Sequence, residues 1–190
     1  MLRGLLLALA LTGPVEAEPQ IRLELRVFAG AQEVTGDTRI SLYRAGERAT
    51  PVAQATPQTG RLDVAVQPGI YDVQAIRERD ERVVGIRWAE RLVVMAYPDE
   101  GGHHLEVINL ETGFGALQVR AKDPASVPDV ALFAAGQHGK ESAPRLTGDG
   151  YAFFVAPAGS YDLRSRDGER EVWHAGVDVP LDRTRLLIVR

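Results

Sequence analysis

The chain has 190 residues, of which 45% are hydrophobic and 25% charged, a composition typical of globular proteins that excludes an intrinsically disordered chain. The formal net charge of −4 and the pI of about 5.6 leave no cationic surplus to attract nucleic acid. Because the sequence contains no cysteine, disulfides and a lipidated amino-terminal cysteine are both excluded.

The amino-terminal residues have the pattern of a secretion signal. Arg3 supplies a positive flank, residues 5–11 form a short apolar run, and Val15-Glu16-Ala17 offers small residues to a signal peptidase. The apolar run is far shorter than the roughly 20 residues that span a bilayer. The pattern predicts a signal peptide over residues 1–17, cleaved after Ala17, and a periplasmic or secreted mature chain without a transmembrane segment.

Alternating apolar residues predict the strands of the first half. Ile21, Leu23, Leu25 and Val27 alternate with charged residues, which indicates a half-buried strand. Residues 30–37 are expected to form a loop, residues 49–60 at most a short edge strand, and the charged residues 77–82 a solvated hairpin tip. Further strands are predicted at residues 40–42, 62–66, 71–75, 84–88, 92–94 and 105–110.

One segment occurs twice. Residues 67–73 correspond to residues 157–163, with Tyr71 and Tyr161 separated by 90 positions, and the same offset pairs Ile40 with Val130. A repeat at a fixed offset indicates that one structural unit has been used twice. The repeat predicts two domains, at residues 18–111 and 112–190.

The second half repeats the pattern with a different hairpin. Strands are predicted around Leu117, around Val130 and over residues 151–155, and the chain closes with a strand at residues 186–189. Asp167-Gly168 is a strong signal for a two-residue turn. Tyr161 lies 12 positions before Trp173, whereas Tyr71 lies 17 positions before Trp88, so the hairpin tip of the first unit is predicted to be longer by five residues.

About seven short strands per half, without helical periodicity, favour two tandem β-sandwiches. The sequence Pro-Gly-x-Tyr-Asp-Val at residues 68–73, followed by a hairpin, a tryptophan and a short Val-x-Val strand, resembles transthyretin-like modules related to carboxypeptidase regulatory domains. Such modules occur in bacterial exported proteins, including ones with a von Willebrand factor A domain. The resemblance implies an all-β, Greek-key (prealbumin-like) sandwich with a non-catalytic role in interactions. The Asp-x-Ser-x-Ser metal motif of von Willebrand A domains does not occur in this sequence.

The repeated segment is predicted to have a structural role. Pro68 and Pro157, followed by Gly69 and Gly159, are expected to make a bend. Tyr71 and Tyr161 then enter the sandwich. Their position resembles the tyrosine corner of Greek-key sandwiches, in which the hydroxyl bonds nearby backbone. Asp72 and Asp162 are expected to support the turns.

Trp88 and Trp173 are weak candidates for ligand binding, since an indole ring can stack on a sugar or a peptide. Alternation favours a position in the cores instead. Trp88 would share an inward face with Val84, Ile86 and Leu92, and Trp173 would share one with Val177 and Val179.

His103 and His104 invite a metal hypothesis, because Asp99, Glu100 and two glycines precede them. Neighbouring residues of a strand point to opposite faces, so the two rings would not reach one ion, and a solvated loop is favoured. The sequence has no Gly-x-Ser-x-Gly elbow, phosphate loop or dinucleotide motif. No catalytic residue, metal or cofactor is therefore predicted.

These observations favour a non-catalytic, exported binding protein of the bacterial cell envelope whose partner is a protein or an envelope component. Two alternatives stay open at this point: a carbohydrate-binding accessory protein, which would need exposed aromatic rings, and a hydrolase with an unrecognised site.

Overall fold

The computed structural model describes residues 20–57, 61–95, 102–123 and 125–189. Within these ranges the chain forms sixteen β-strands, and its helical structure is limited to a 3-10 turn at Thr35–Asp37. The prediction of an all-β fold is confirmed. The predicted signal peptide lies outside the described residues.

The first unit is a sandwich of two sheets. Its eight strands are β1 (Ile21–Ala29), β2 (Gln32–Glu33), β3 (Thr38–Arg44), β4 (Ala53–Ala55), β5 (Leu62–Val66), β6 (Gly69–Arg79), β7 (Arg82–Val94) and β8 (His103–Asn109). We call the sheet that faces the second unit the inner sheet and the other one the outer sheet. In the inner sheet, β1 pairs with β5 and, in parallel, with β8, while β2 pairs with the end of β1. The outer sheet has the order β4-β3-β6-β7.

The second unit repeats this arrangement. Its eight strands are β9 (Phe114–Ala121), β10 (Asp129–Ala134), β11 (Gln137–Ala143), β12 (Leu146–Gly148), β13 (Tyr151–Pro157), β14 (Gly159–Asp167), β15 (Arg170–Val179) and β16 (Thr184–Val189). The inner sheet has the order β12-β13-β9-β16, with β16 parallel to β9, and the outer sheet has the order β11-β10-β14-β15. The prediction of two tandem β-sandwiches is confirmed.

Each sandwich encloses its own apolar core. In the first unit, Leu23 and Leu25 of β1 pack with Leu42 and Val73 of the outer sheet. In the second unit, Leu117 and Val119 belong to a core that includes Leu132 and Leu163, and these residues come from both sheets. Alternation of apolar residues along each strand therefore builds the two cores.

Eight strands form in each unit instead of about seven. The additional strands are short or lack an apolar pattern: β2 has two residues and β12 has three, while six of the seven residues of β11 are exposed. Such strands are held by backbone pairing with a neighbour, so hydrophobic periodicity did not reveal them.

The two inner sheets pack against each other through the faces that point away from their own cores. A third apolar cluster fills this interface; it contains Phe28, Leu105, Val107, Ala116, Tyr151, Phe153 and Val155. The prediction that β1 is half-buried is consequently wrong, because the second unit covers its other face and leaves Glu24 only 1% exposed.

The predicted difference in hairpin tips is also wrong. The β6–β7 turn contains two residues, Asp80 and Glu81, both with positive φ, and the β14–β15 turn contains Gly168 and Glu169. The second turn is thus shifted by one residue from the predicted Asp167-Gly168. Strands β6 and β7 are 11 and 13 residues long, whereas β14 and β15 have 9 and 10, so the five extra residues lie in the strands.

Candidate functional site

In each repeat, the hydroxyl of the corner tyrosine bonds to the backbone four residues earlier in the chain. The Tyr71 hydroxyl donates to the Gln67 carbonyl at 2.7 Å, and the Tyr161 hydroxyl donates to the Pro157 carbonyl at the same distance. Gly69 is not among the glycines with positive φ, and a Cβ atom there would lie 3.4 Å from the Tyr71 ring. The close ring, and not a left-handed backbone, distinguishes this position.

A buried aspartate follows each corner tyrosine and binds the backbone of a turn and of the last strand of the outer sheet. Asp72 accepts hydrogen bonds from the N–H groups of Arg91 and Gly46, and Asp162 accepts them from Gly176 and Gly136. The bonds from Arg91, Gly46 and Arg48 hold the pKa of Asp72 below its usual value. Both carboxylates therefore act as clamps between a turn and the last strand of the outer sheet.

A β-bulge at each clamp reverses the alternation of that last strand. The segment of β6 from Tyr71 to Val73 lies opposite a segment of β7, from Leu92 to Ala89, that is one residue longer, and β14 and β15 have the same shift. The extra residues include Arg91 and Gly176, which have φ of 56° and 68°. A bulge adds one residue to the strand. Two side chains that regular alternation would place on the same face therefore point to opposite faces when the bulge lies between them.

The prediction that both tryptophans lie in the cores, with Val84 and Ile86 on the same inward face as Trp88, is wrong for this reason. Trp88 and Trp173 precede the bulges and point outward, while Leu92 and Val177 follow them and point inward. Trp88 is half-buried and Trp173 is 38% exposed. The bulges thus place one tryptophan on the outward face of each outer sheet.

The repeat also places a basic side chain on each tryptophan. The Arg48 guanidinium lies 4.2 Å from the centroid of the Trp88 ring and donates to Asp72 and Glu90. In the second unit, the His138 ring stacks on Trp173 with 3.9 Å between centroids and contacts Asp162 at 2.8 Å. Arg48 and His138 are 90 positions apart, as are the two aspartates. One face of each indole is therefore covered from within the chain.

The two outward faces differ most beyond the tryptophans. In the first unit Ile76 is paired with Ile86, which is 55% exposed. The equivalent pair in the second unit is Arg166 and Glu171, joined by a salt bridge of 3.0 Å. The same position on the same fold thus carries an aliphatic pair, half-buried at Ile76 and exposed at Ile86, in one copy and an ion pair in the other.

The apolar surface of the first unit continues along β7. A second bulge follows the turn, because Glu78 pairs with Val83 while Arg77 pairs with Gly85, which leaves Val84 as an extra residue. Val83 and Val84 are 60% and 55% exposed. We call Ile76, Val83, Val84 and Ile86 the apolar row.

A buried polar network joins the two units. Glu24 of β1 accepts hydrogen bonds from the Tyr151 hydroxyl of β13 at 2.7 Å and from Arg26 at 2.8 Å. His103 Nε2 lies 3.0 Å from Glu24, and His103 Nδ1 lies 2.6 Å from Arg120 Nη2 of β9. The sequence did not single out Glu24, Arg120 or Tyr151. The continuous apolar run at residues 151–156 was the available signal, because such a run marks a strand that is covered on both faces.

The network sets the charge of its acidic and phenolic groups. Burial alone would raise the pKa of Glu24, but the hydrogen bonds from His103, Tyr151 and Arg26 hold it far below its usual value. Burial and the bond to the Glu24 carboxylate raise the pKa of Tyr151. Glu24 is therefore an anion and Tyr151 a neutral donor at neutral pH.

The prediction of a solvated loop at His103 and His104 is wrong. Both residues lie in β8, and His103 is 8% exposed. His104 points elsewhere and approaches Glu106 at 3.7 Å. Asp99 and Glu100 lie outside the described residues, and the described part of the chain contains no group of three or more histidine, cysteine or acidic residues that could hold a metal ion.

One serine–histidine pair lies in the second unit. Ser165 Oγ is 3.0 Å from His174 Nε2, beside a cavity of about 410 Å³. Within the described ranges His174 has no carboxylate partner, so the pair lacks the group that orients the histidine of a catalytic triad.

Searches for relatives assign no family. No family model and no curated protein matches the chain. The described part of the structure contains no helix that is long and apolar enough to cross a membrane.

Several solved structures are similar to this chain at low sequence identity. The Bacillus anthracis TIE protein is 14% identical at a TM-score of 0.31, and the match covers 90% of this chain but 34% of that one, so this chain spans about a third of its length. A candidate adhesin from Bacteroides ovatus is 12% identical, with 92% and 88% covered and a TM-score of 0.33. The tip fimbrial protein Mfa3 from Porphyromonas gingivalis is 8% identical, with 90% and 94% covered and a TM-score of 0.32. Similarity at this level assigns no function.

Proposed function

We propose that the protein is an exported, non-catalytic binding protein of the bacterial cell envelope, and that a partner protein docks on the apolar row of the first unit. The observation that carries the proposal is the contrast between the repeats. A half-buried Ile76 pairs with Ile86, which is 55% exposed, where the second unit has the Arg166–Glu171 ion pair.

The contrast separates the demands of folding from those of binding. The second unit forms the same hairpin with charged residues at these positions, so the fold does not require aliphatic side chains there. Exposed aliphatic residues that lie together raise the free energy of the isolated protein in water, and such patches mark interaction sites. A partner that covers the apolar row removes this unfavourable exposure.

Export and domain limits belong to the same proposal. The basic and apolar pattern of residues 1–17 supports secretion, and the repeat supports domains at residues 18–111 and 112–190. The resemblance to transthyretin-like modules supports an interaction role, because it is carried by the corner and not by any catalytic motif.

Capture from the cell envelope tests the proposal with a double variant copied from the second unit. Ile76→Arg with Ile86→Glu introduces the Arg166–Glu171 pair at the equivalent position, so the hairpin is expected to fold. Leu181→Glu is the control, since Leu181 is 56% exposed outside the apolar row. We expect tagged wild-type protein and the control to capture the same partner from envelope extracts of the source bacterium, and the double variant to lose it. Equal capture by all three would contradict the proposal.

A second candidate is carbohydrate binding, which the exposure of Trp173 favours. His138 covers one face of that ring, so a sugar would have to use the other face. A glycan array compares the two: binding that is abolished by Trp173→Ala and unaffected by the double variant would favour the carbohydrate function.

A further inference from the structure

One hydrogen bond between the two units is accepted by a histidine ring, which can accept it only in its neutral state. Arg120 Nη2 lies 2.6 Å from His103 Nδ1, and a guanidinium can only donate hydrogen bonds. Nδ1 must therefore accept, and the ring proton lies on Nε2, directed at Glu24 Oε2 3.0 Å away. This arrangement requires the neutral imidazole.

A second proton on His103 would disrupt a bond between the units. The proton would occupy Nδ1, where the Arg120 N–H now points, and two donors cannot share this short distance. His103 and Glu24 belong to the first unit, whereas Arg120 belongs to β9 of the second. The bond that is lost is thus one that holds the units together.

We propose that His103 makes the interface between the two units acid-sensitive: the inner sheets are held closed while the imidazole is neutral and separate more readily when it takes a second proton. Histidine changes charge between about pH 5 and 8. The extracytoplasmic space of a bacterium, where the signal sequence would deliver this chain, is exposed to such changes. This inference does not depend on the proposed docking surface.

The charged groups around His103 come from both units. Glu24 faces it from β1 and is bonded to Arg26 of the same strand and to Arg61, which precedes β5. Arg120 faces it from β9, and Tyr151 of β13 stacks on it with ring centroids 5.3 Å apart. On β8 itself, His104 and Glu106 approach each other.

The balance of these charges changes when His103 is protonated. A cationic His103 would join Arg26, Arg61 and Arg120 around the Glu24 carboxylate, which stays ionised because its pKa is far below the usual value. The salt bridge from His103 to Glu24 would persist, but it lies within the first unit. Acid therefore strengthens a contact inside one unit and weakens the contact between the two.

Thiol labelling of the full chain tests the proposal, because the sequence contains no cysteine and each introduced thiol is unique. Ala116→Cys places the reporter in the interface cluster, Ala49→Cys in an exposed loop, and Ala75→Cys in the core of the first unit. Labelling by 4,4′-dithiodipyridine is measured at pH 7.5 and pH 5.0. The rate at each buried reporter is divided by the rate at position 49 to remove the pH dependence of the reagent.

We expect the normalised rate at position 116 to rise roughly tenfold between pH 7.5 and 5.0, the fold-change that corresponds to one hydrogen bond to a charged group. The normalised rate at position 75 should stay constant, because the sandwich itself remains folded. His103→Gln should abolish the rise at position 116, since an amide can accept and donate without taking a proton. Arg120→Met should also abolish it by removing the donor that opposes the second proton, which provides a second variant if His103→Gln does not fold.

His174→Gln is the control that should leave the rise intact, because His174 lies in the second unit away from the interface. If His103 and Arg120 are unchanged and the normalised rate at position 116 is the same at both pH values, the proposal is overturned. So would a rise that persists in both His103→Gln and Arg120→Met, or a parallel rise at position 75, which would mean that the unit unfolds.

Discussion

Replacing Tyr151 by phenylalanine removes one hydroxyl from the interface and tests how much the buried network stabilises the protein. The hydroxyl donates to the Glu24 carboxylate at 2.7 Å, and both residues are at most 1% exposed. A hydrogen bond to a charged group contributes about 1.5–3 kcal/mol. The variant keeps the ring, which packs on Phe153 and His103, so little of the loss can come from packing.

Thermal unfolding followed by circular dichroism at pH 7.5 measures this effect. For a chain of this size a loss of about 2 kcal/mol lowers Tm by roughly 4–8 °C. Tyr161→Phe is the matched control, because it removes the same group from a bond to a neutral carbonyl at the same distance of 2.7 Å. That bond contributes about 1 kcal/mol, so the control should lower Tm by about half as much.

The comparison can refute the reasoning. If Tyr151→Phe lowers Tm by no more than Tyr161→Phe does, the Glu24 carboxylate does not bind the hydroxyl more strongly than a backbone carbonyl would. The network would then be a consequence of apolar packing between the units, without a stabilising role of its own.

Three further predictions concern single residues. Tyr71→Phe should destabilise the protein by about 1 kcal/mol in chemical unfolding, as Tyr161→Phe should, because both hydroxyls bond the corner backbone; no loss in either would count against the corner. Glu24 has a depressed pKa, so its stabilisation is complete above its ordinary value of 4.5 and is lost as the pH falls below it; Glu24→Gln should flatten the acid limb of a stability profile below pH 4.5, and an unchanged limb would contradict this. Gly176→Ala should cost about 1–2 kcal/mol, because φ is 68° at the bulge, whereas Gly139→Ala, with open space around it and no positive φ, should be nearly neutral; similar effects at both would contradict the strain argument.

The sequence predicted the architecture where local pattern decides it. Alternation located β1 and most other long strands, and the repeat of Tyr71 at Tyr161 predicted two copies of one sandwich. These features are visible because each depends on neighbouring residues or on a constant offset. The strand β11 was missed because its residues are almost all exposed.

The positions of the tryptophans depended on information that alternation does not carry. A single extra residue at Arg91 or Gly176 reverses the face to which the preceding side chains of that strand point. The sequence gives no sign that an arginine adopts a positive φ. The burial of Glu24 and His103 depended on the contact between the units, which no pattern within one strand describes. The contrast between Ile86 and Glu171 was accessible, because aligning the repeats at the offset of the tryptophans pairs these two residues directly.

Site-specific photo-crosslinking in the source organism tests the central claim most directly. A photoreactive amino acid is placed at position 86 in the apolar row or at position 171, the equivalent position in the second unit. If the first unit carries the docking surface, position 86 will crosslink to a partner protein and position 171 will not. Crosslinking at 171 alone, equal crosslinking at both positions, or none at 86 would contradict the claim.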